Sequence, residues 1–156
     1  MITAILAASR LAVAITTAWP HVPAERAAPA ALAIVVAVDG TPWSPDLVAA
    51  IAYHETHLRT DRIGSRGECG MGQVAHRRDR AARCLAARAY PESARQMVAA
   101  LEEARTTCRG REICALNLYA AGTRGMAWRG PGIAAREFRD LEDKLRAPKR
   151  RGRSGS

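Results

Sequence analysis

The segment Glu55-Thr-His-Leu-Arg-Thr-Asp-Arg-Ile-Gly-Ser-Arg-Gly-Glu-Cys-Gly-Met-Gly-Gln73 runs from a carboxylate at the end of an apolar helix pattern into a loop with four glycines. Just upstream, Ala52-Tyr-His-Glu-Thr-His-Leu58 sets two histidines around that glutamate and invites a zinc reading. Zinc helices of the HExxH kind need imidazoles four residues apart, on one face. Here the fourth position after His54 is Leu58, and His54 and His57 are three apart. The segment is therefore read without a metal or any other cofactor, with His54 and His57 as cleft-edge or solvated residues.

Local signals place Glu55 on a helix over about 45–58. Ser44 suits the N-cap, Pro45 the first helical position and Asp46 the positive helix end. Leu47, Val48, Ile51 and Leu58 form an apolar stripe, and Glu55 follows Ile51 by four residues, inside that stripe. A carboxylic acid buried on a core-facing side is held toward its neutral, proton-donating form. The alternative from the wheel alone is a glutamate that tips into solvent or pairs with Arg59 or Arg62.

The downstream spacing adds to this. Gly67, Gly70 and Gln73 lie 12, 15 and 18 residues after Glu55, Ser65 sits within the loop, and Leu118-Tyr-Ala-Ala-Gly-Thr-Arg-Gly125 follows later. This pattern resembles the soluble-type lytic transglycosylases, lysozyme-like enzymes that cleave peptidoglycan, over about residues 43–128. The resemblance implies a mainly α fold, lysozyme-like of the goose type, with a glycine-rich active-site loop. It implies that Glu55 acts as the single catalytic acid and base, with Thr56, Ser65, Gly70, Met71, Gln73, Tyr119 and Gly122 around the substrate. The sequence departs from the family at Thr56 for Ser, Met71-Gly72 for Leu-Met, Glu68 for Ala and Ala120 for the Asn after the Tyr.

Two other readings stay open: a hydrolysing muramidase with Asp61 or Glu68 as second carboxylate, and a non-catalytic basic module that binds cell wall or nucleic acid. The chain carries a formal charge of +9, nearly all from arginine, with lysine only at Lys144 and Lys149. Such a balance favours a polyanionic partner. Six basic residues and no acid fall between Lys144 and Arg153, but no aromatic residues accompany them for base stacking. The resemblance implies glycan strands and the anionic wall as partners, in a secretion or conjugation system or a phage assembly, and no specific nucleic acid.

At 156 residues the chain has room for one core. With aromatics at only 4% and almost no alternating β-branched runs, helices are expected to dominate. Residues 1–42 read as an apolar, proline-rich segment, 43–146 as the domain and 147–156 as a basic disordered tail. Ile2 to Ala18 ends in small residues of the kind a signal peptidase accepts, yet no Lys or Arg precedes the run and Arg10 interrupts it. Further helices are expected at about 73–89, 91–107, 111–121 and 133–146. The four cysteines lack CxxC spacing and pair most simply as Cys69 with Cys84 and Cys108 with Cys114, which places the chain in an oxidising, extracytoplasmic setting. The alternative is four buried free thiols in a cytosolic protein.

Overall fold

A computed structural model describes residues 2–76, 78–127 and 130–147. Among them the chain is mainly helical: α1 Ile2–Ala18, α2 Ala24–Ala37, α3 Pro45–Thr56, α4 Arg80–Ala86, α5 Tyr90–Thr107, α6 Glu112–Ala121 and α7 Ile133–Arg146, with a 3-10 helix at Gly122–Ala127 between the last two. Extended pairing among these residues is confined to single bridges at Ile63 with Cys69 and Cys69 with Val74.

The central element is α3. Residues Asp46 to Ala52 are all buried, as expected of a helix surrounded on every side. Its start follows the local signals: the Ser44 hydroxyl accepts the Leu47 N–H at 3.0 Å, and Pro45 opens the first turn. Its end comes two residues earlier than expected. His57 and Leu58 take left-handed φ values of 54° and 64°, which turns the chain out of the helix after Thr56.

The expected boundary near residue 43 is not a boundary in the packing. Leu11 and Ile15 of α1 and Ala27, Ala30, Ala31 and Ile34 of α2 are buried in the same core as Val48, Ile51, Met97, Leu101 and Phe138. Residues 1–42 thus contribute two helices to the domain. Arg10, out of place in an apolar run, reaches over the start of α3 and donates to Asp46 Oδ2 at 3.1 Å. Among the described residues no helix is long and apolar enough to cross a membrane.

A polar knot fastens α7 to the same place. Glu142 is 1% exposed, and its carboxylate accepts from the Ser44 hydroxyl at 2.7 Å and from Arg139 Nη1 at 2.5 Å, with Arg146 Nη2 2.6 Å away. Arg139 also pairs with Glu112 of α6. Removing Glu142 frees two guanidinium groups that are already partly in water, so the loss falls below that of a fully buried pair. The Glu142→Ala variant is expected to lose about 2 kcal/mol of unfolding free energy, read from the shift of its urea midpoint at constant slope.

The helix expected over 73–89 forms only at Arg80–Ala86. Gln73 and Asp79 hold left-handed φ values of 48° and 51°, and the Cys69–Val74 bridge keeps the intervening chain out of a helix. No residue of α4 is buried. A disulfide joins Cys84 of α4 to Cys69 in the loop, and a second joins Cys108 to Cys114 across the α5–α6 turn. Both pairings match those expected and fit an oxidising environment. The basic tail, apart from Ala147, lies outside the described residues.

Candidate active site

Three helices hold the loop that follows Glu55, at Met71 and Gly72. From the end of α3, the Thr56 hydroxyl donates to the Met71 carbonyl at 3.0 Å and accepts the Arg59 N–H at 3.0 Å. From α5, the buried Ser93 hydroxyl accepts the Met71 N–H at 2.8 Å. From α6, the Tyr119 hydroxyl donates to the Gly72 carbonyl. Thr56, read as the counterpart of a serine, thus ties the acid-bearing helix end to the loop.

The glycines have separate reasons. Gly70 has φ +75°, and a Cβ there would lie 2.6 Å from Ser93 Oγ. At Gly72 a Cβ would lie 2.5 Å from Met97 Cγ and 2.6 Å from the Tyr119 hydroxyl oxygen. The departure from Leu-Met at 71–72 therefore leaves room for tyrosine to reach the loop backbone. Gly72→Ala is expected to cost about 2 kcal/mol through overpacking, and Tyr119→Phe about 1 kcal/mol through one lost hydrogen bond. Thermal unfolding of the two variants side by side checks that order.

Glu55 itself stands at the open edge of the apolar stripe. Its side chain is 23% exposed, while Leu47, Val48, Ile51 and Leu58 are buried. The expectation of a core-buried carboxyl is corrected: the stripe ends as α3 ends, and Glu55 borders solvent. Tyr119 lies within reach of its charge. Burial first, and then the Glu55 carboxylate, raise the Tyr119 phenol well above its ordinary range, so its proton stays on the oxygen as a donor.

The other expected residues divide. Gln73 opens no helix; its amide donates to the Gly70 carbonyl at 3.1 Å and the Arg62 carbonyl at 3.3 Å, which braces the loop. Met71 is wholly buried, so its side chain serves the core and offers no surface to a ligand. Ser65 is exposed, and Gly122 ends α6 at φ +64°. Asp61 is gripped by Arg59 at 2.8 Å, whose hydrogen bond holds its carboxyl down to about 2. Glu68 accepts from Arg66 Nε at 2.7 Å, and its carboxyl is lowered, first by its own backbone N–H and also by Arg66. Among the described residues neither is bonded to Glu55.

The two histidines face different neighbours. His57 stacks on Tyr53 at 4.8 Å, and Tyr53 stacks on the buried Trp19 at 3.7 Å. Burial first, then His21 and the arginines Arg26 and Arg62, lower the His57 imidazole. His54 instead points its Nδ1 toward Glu55 Oε1 at 3.5 Å and its Nε2 toward Glu137 Oε2 at 2.8 Å. Its imidazole is raised, first by the Glu55 hydrogen bond.

A cleft of about 770 Å³ opens beside this group, lined by Ala120 and Ala121 at the end of α6, by residues 130–134, and by Arg136 and Glu137 of α7. Its rim is tied down by Asn117, which donates to the Gly130 carbonyl at 2.9 Å and accepts the Gly132 N–H at 2.8 Å. Sequence reasoning missed Asn117, Ser93 and Glu137. Asn117 alone left a local signal, a buried amide in the otherwise apolar run of α6. Comparison with protein-family models, curated proteins and solved structures finds no match to the chain.

Proposed function

We propose that the chain is a lysozyme-like peptidoglycan lytic transglycosylase that cleaves the MurNAc–GlcNAc β-1,4 bond. The observation that carries the reading is the bracing of one loop, 15 to 18 residues after Glu55, against the helix end that bears it and against Tyr119. A solvent-bordering acid at a helix end, with a backbone loop tied to that same end, suits proton transfer to a bound sugar.

In this reading Glu55 gives its proton to the glycosidic oxygen as the C1–O bond breaks, and the substrate's N-acetyl group steadies the oxocarbenium-like centre. The Glu55 carboxylate then takes the proton of the C6 hydroxyl as that oxygen closes on C1, giving a 1,6-anhydro end. The step needs no water, metal or cofactor. The basic surface favours the anionic wall, and the disulfides fit action outside the cytoplasm.

The hydrolase alternative draws less support, because it needs Asp61 or Glu68 to act on a water or on the sugar and each is instead paired with an arginine. The non-catalytic module leaves the bracing of the Glu55 loop without a purpose. Mass spectrometry of products released from purified peptidoglycan separates the three: 1,6-anhydromuramic ends mean transglycosylase, reducing ends mean hydrolase, and no release means binding alone.

A further inference from the structure

We propose that His54, held by Glu137 of α7, is a positioning residue that faces Glu55 and exchanges one proton with it. The inference rests on the reading of Glu55 as the acid and base. Its geometry is independent of that reading. The ring of His54 lies between two carboxylates, 3.5 Å from Glu55 Oε1 and 2.8 Å from Glu137 Oε2. Phe138, fully buried, meets the ring edge-on at 4.9 Å and 87°.

His54 is hydrogen-bonded at Nε2 to Glu137, and its Nδ1 faces Glu55 Oε1 at 3.5 Å, a contact that becomes a hydrogen bond if the two side chains close by a few tenths of an ångström; no neutral tautomer then satisfies both carboxylates. With Nε2–H given to Glu137, the Nδ1 site faces Glu55, and one proton serves the pair. On Nδ1 it makes an imidazolium–carboxylate pair; on Glu55 it makes a neutral acid hydrogen-bonded to a neutral ring. The two arrangements have the same net charge. As the Nδ1–H bond breaks a Glu55 O–H bond forms, that proton passes to the glycosidic oxygen, and the C6 hydroxyl proton returns to Glu55 and then to Nδ1. Every proton is accounted for and none is drawn from solvent.

The pH behaviour follows from the groups that face the ring, Glu55 on α3 and Glu137 on α7, both of which favour the imidazolium. Burial opposes them and does not win, so the group is raised. A raised histidine keeps its proton below its folded value and loses it as pH climbs through that value. The alkaline limb of activity is thus expected above about 6.5, the ordinary imidazole value, and to depend on His54 and Glu137.

The test uses the whole chain in two measurements. Histidine-ring nitrogen NMR should show the His54 titration raised above the ordinary imidazole value in the wild type, and moved down in both Glu137→Gln and Glu55→Gln. Peptidoglycan clearance should show His54→Gln losing about tenfold in kcat/KM near pH 7.5 but about twofold or less near pH 5, with Glu137→Gln between it and the wild type. Circular dichroism checks that each variant is folded. A His54 titration unmoved in both carboxylate variants, or a His54→Gln pH profile parallel to the wild type, overturns the proposal. Shifted titrations in a protein that clears no wall uphold the shared proton and overturn the peptidoglycan reading instead.

Discussion

Replacement of Glu55 by Gln is expected to lower release of 1,6-anhydromuropeptides by about 10³-fold or more while the fold is retained. General acid–base catalysis by one group contributes about 10²–10⁴-fold, and in the proposed mechanism both proton transfers fall on the same residue. Glutamine keeps the shape of the side chain but neither gives nor takes a proton at working pH. Because Glu55 is partly exposed and lies at the end of α3, its change disturbs little packing. Mass spectrometry of digests from wild type and variant, with matched circular dichroism, reads the result. Comparable anhydro product from both proteins would remove Glu55 from the mechanism.

Loss of the Cys69–Cys84 bond is expected to produce the largest stability change. The two cysteines are separated by 15 residues, and closing a loop of that length contributes about 3 kcal/mol in the chain-entropy account. α4 buries no side chain of its own, so little else fastens it to the loop. The same loop carries Met71 and Gly72, whose backbone α3, α5 and α6 hold. The paired Cys69→Ala and Cys84→Ala variant should therefore melt at lower temperature and clear peptidoglycan more slowly. Protease nicking should appear first between residues 74 and 84. A variant with unchanged melting temperature and cleavage pattern would show that α4 is held by other means. The Cys108–Cys114 bond closes only six residues of separation and should matter less.

Much of the helical layout was legible in short stretches of sequence because helix ends are local chemistry. Ser44 and Pro45 start α3, Pro91 stands in the first turn of α5, and Gly122 stops α6. The overlong helix expected at 73–89 shows the limit of the same method. Its residues have adequate helical character, but a disulfide and two left-handed residues outweigh propensity. The N-terminal run reads two ways for a related reason: an apolar helix bound for the core and an export signal share one composition. Arg10 was the discordant residue, and its partner Asp46 lies 36 positions away.

The site divides along the same line. Glu55, the loop glycines and Tyr119 were singled out by the resemblance to lytic transglycosylases, which rests on their order and spacing along the chain. His54 looked like a solvated neighbour of Glu55 until α7 placed Glu137 against it, 83 residues on. Likewise the Tyr119 contact with Gly72 spans 47 residues. Caps, turns and cysteine spacing act over a few residues and are written in local sequence. Which carboxylate meets which ring depends on how whole helices cross, and those crossings come from burying their apolar faces together, which no short segment specifies alone.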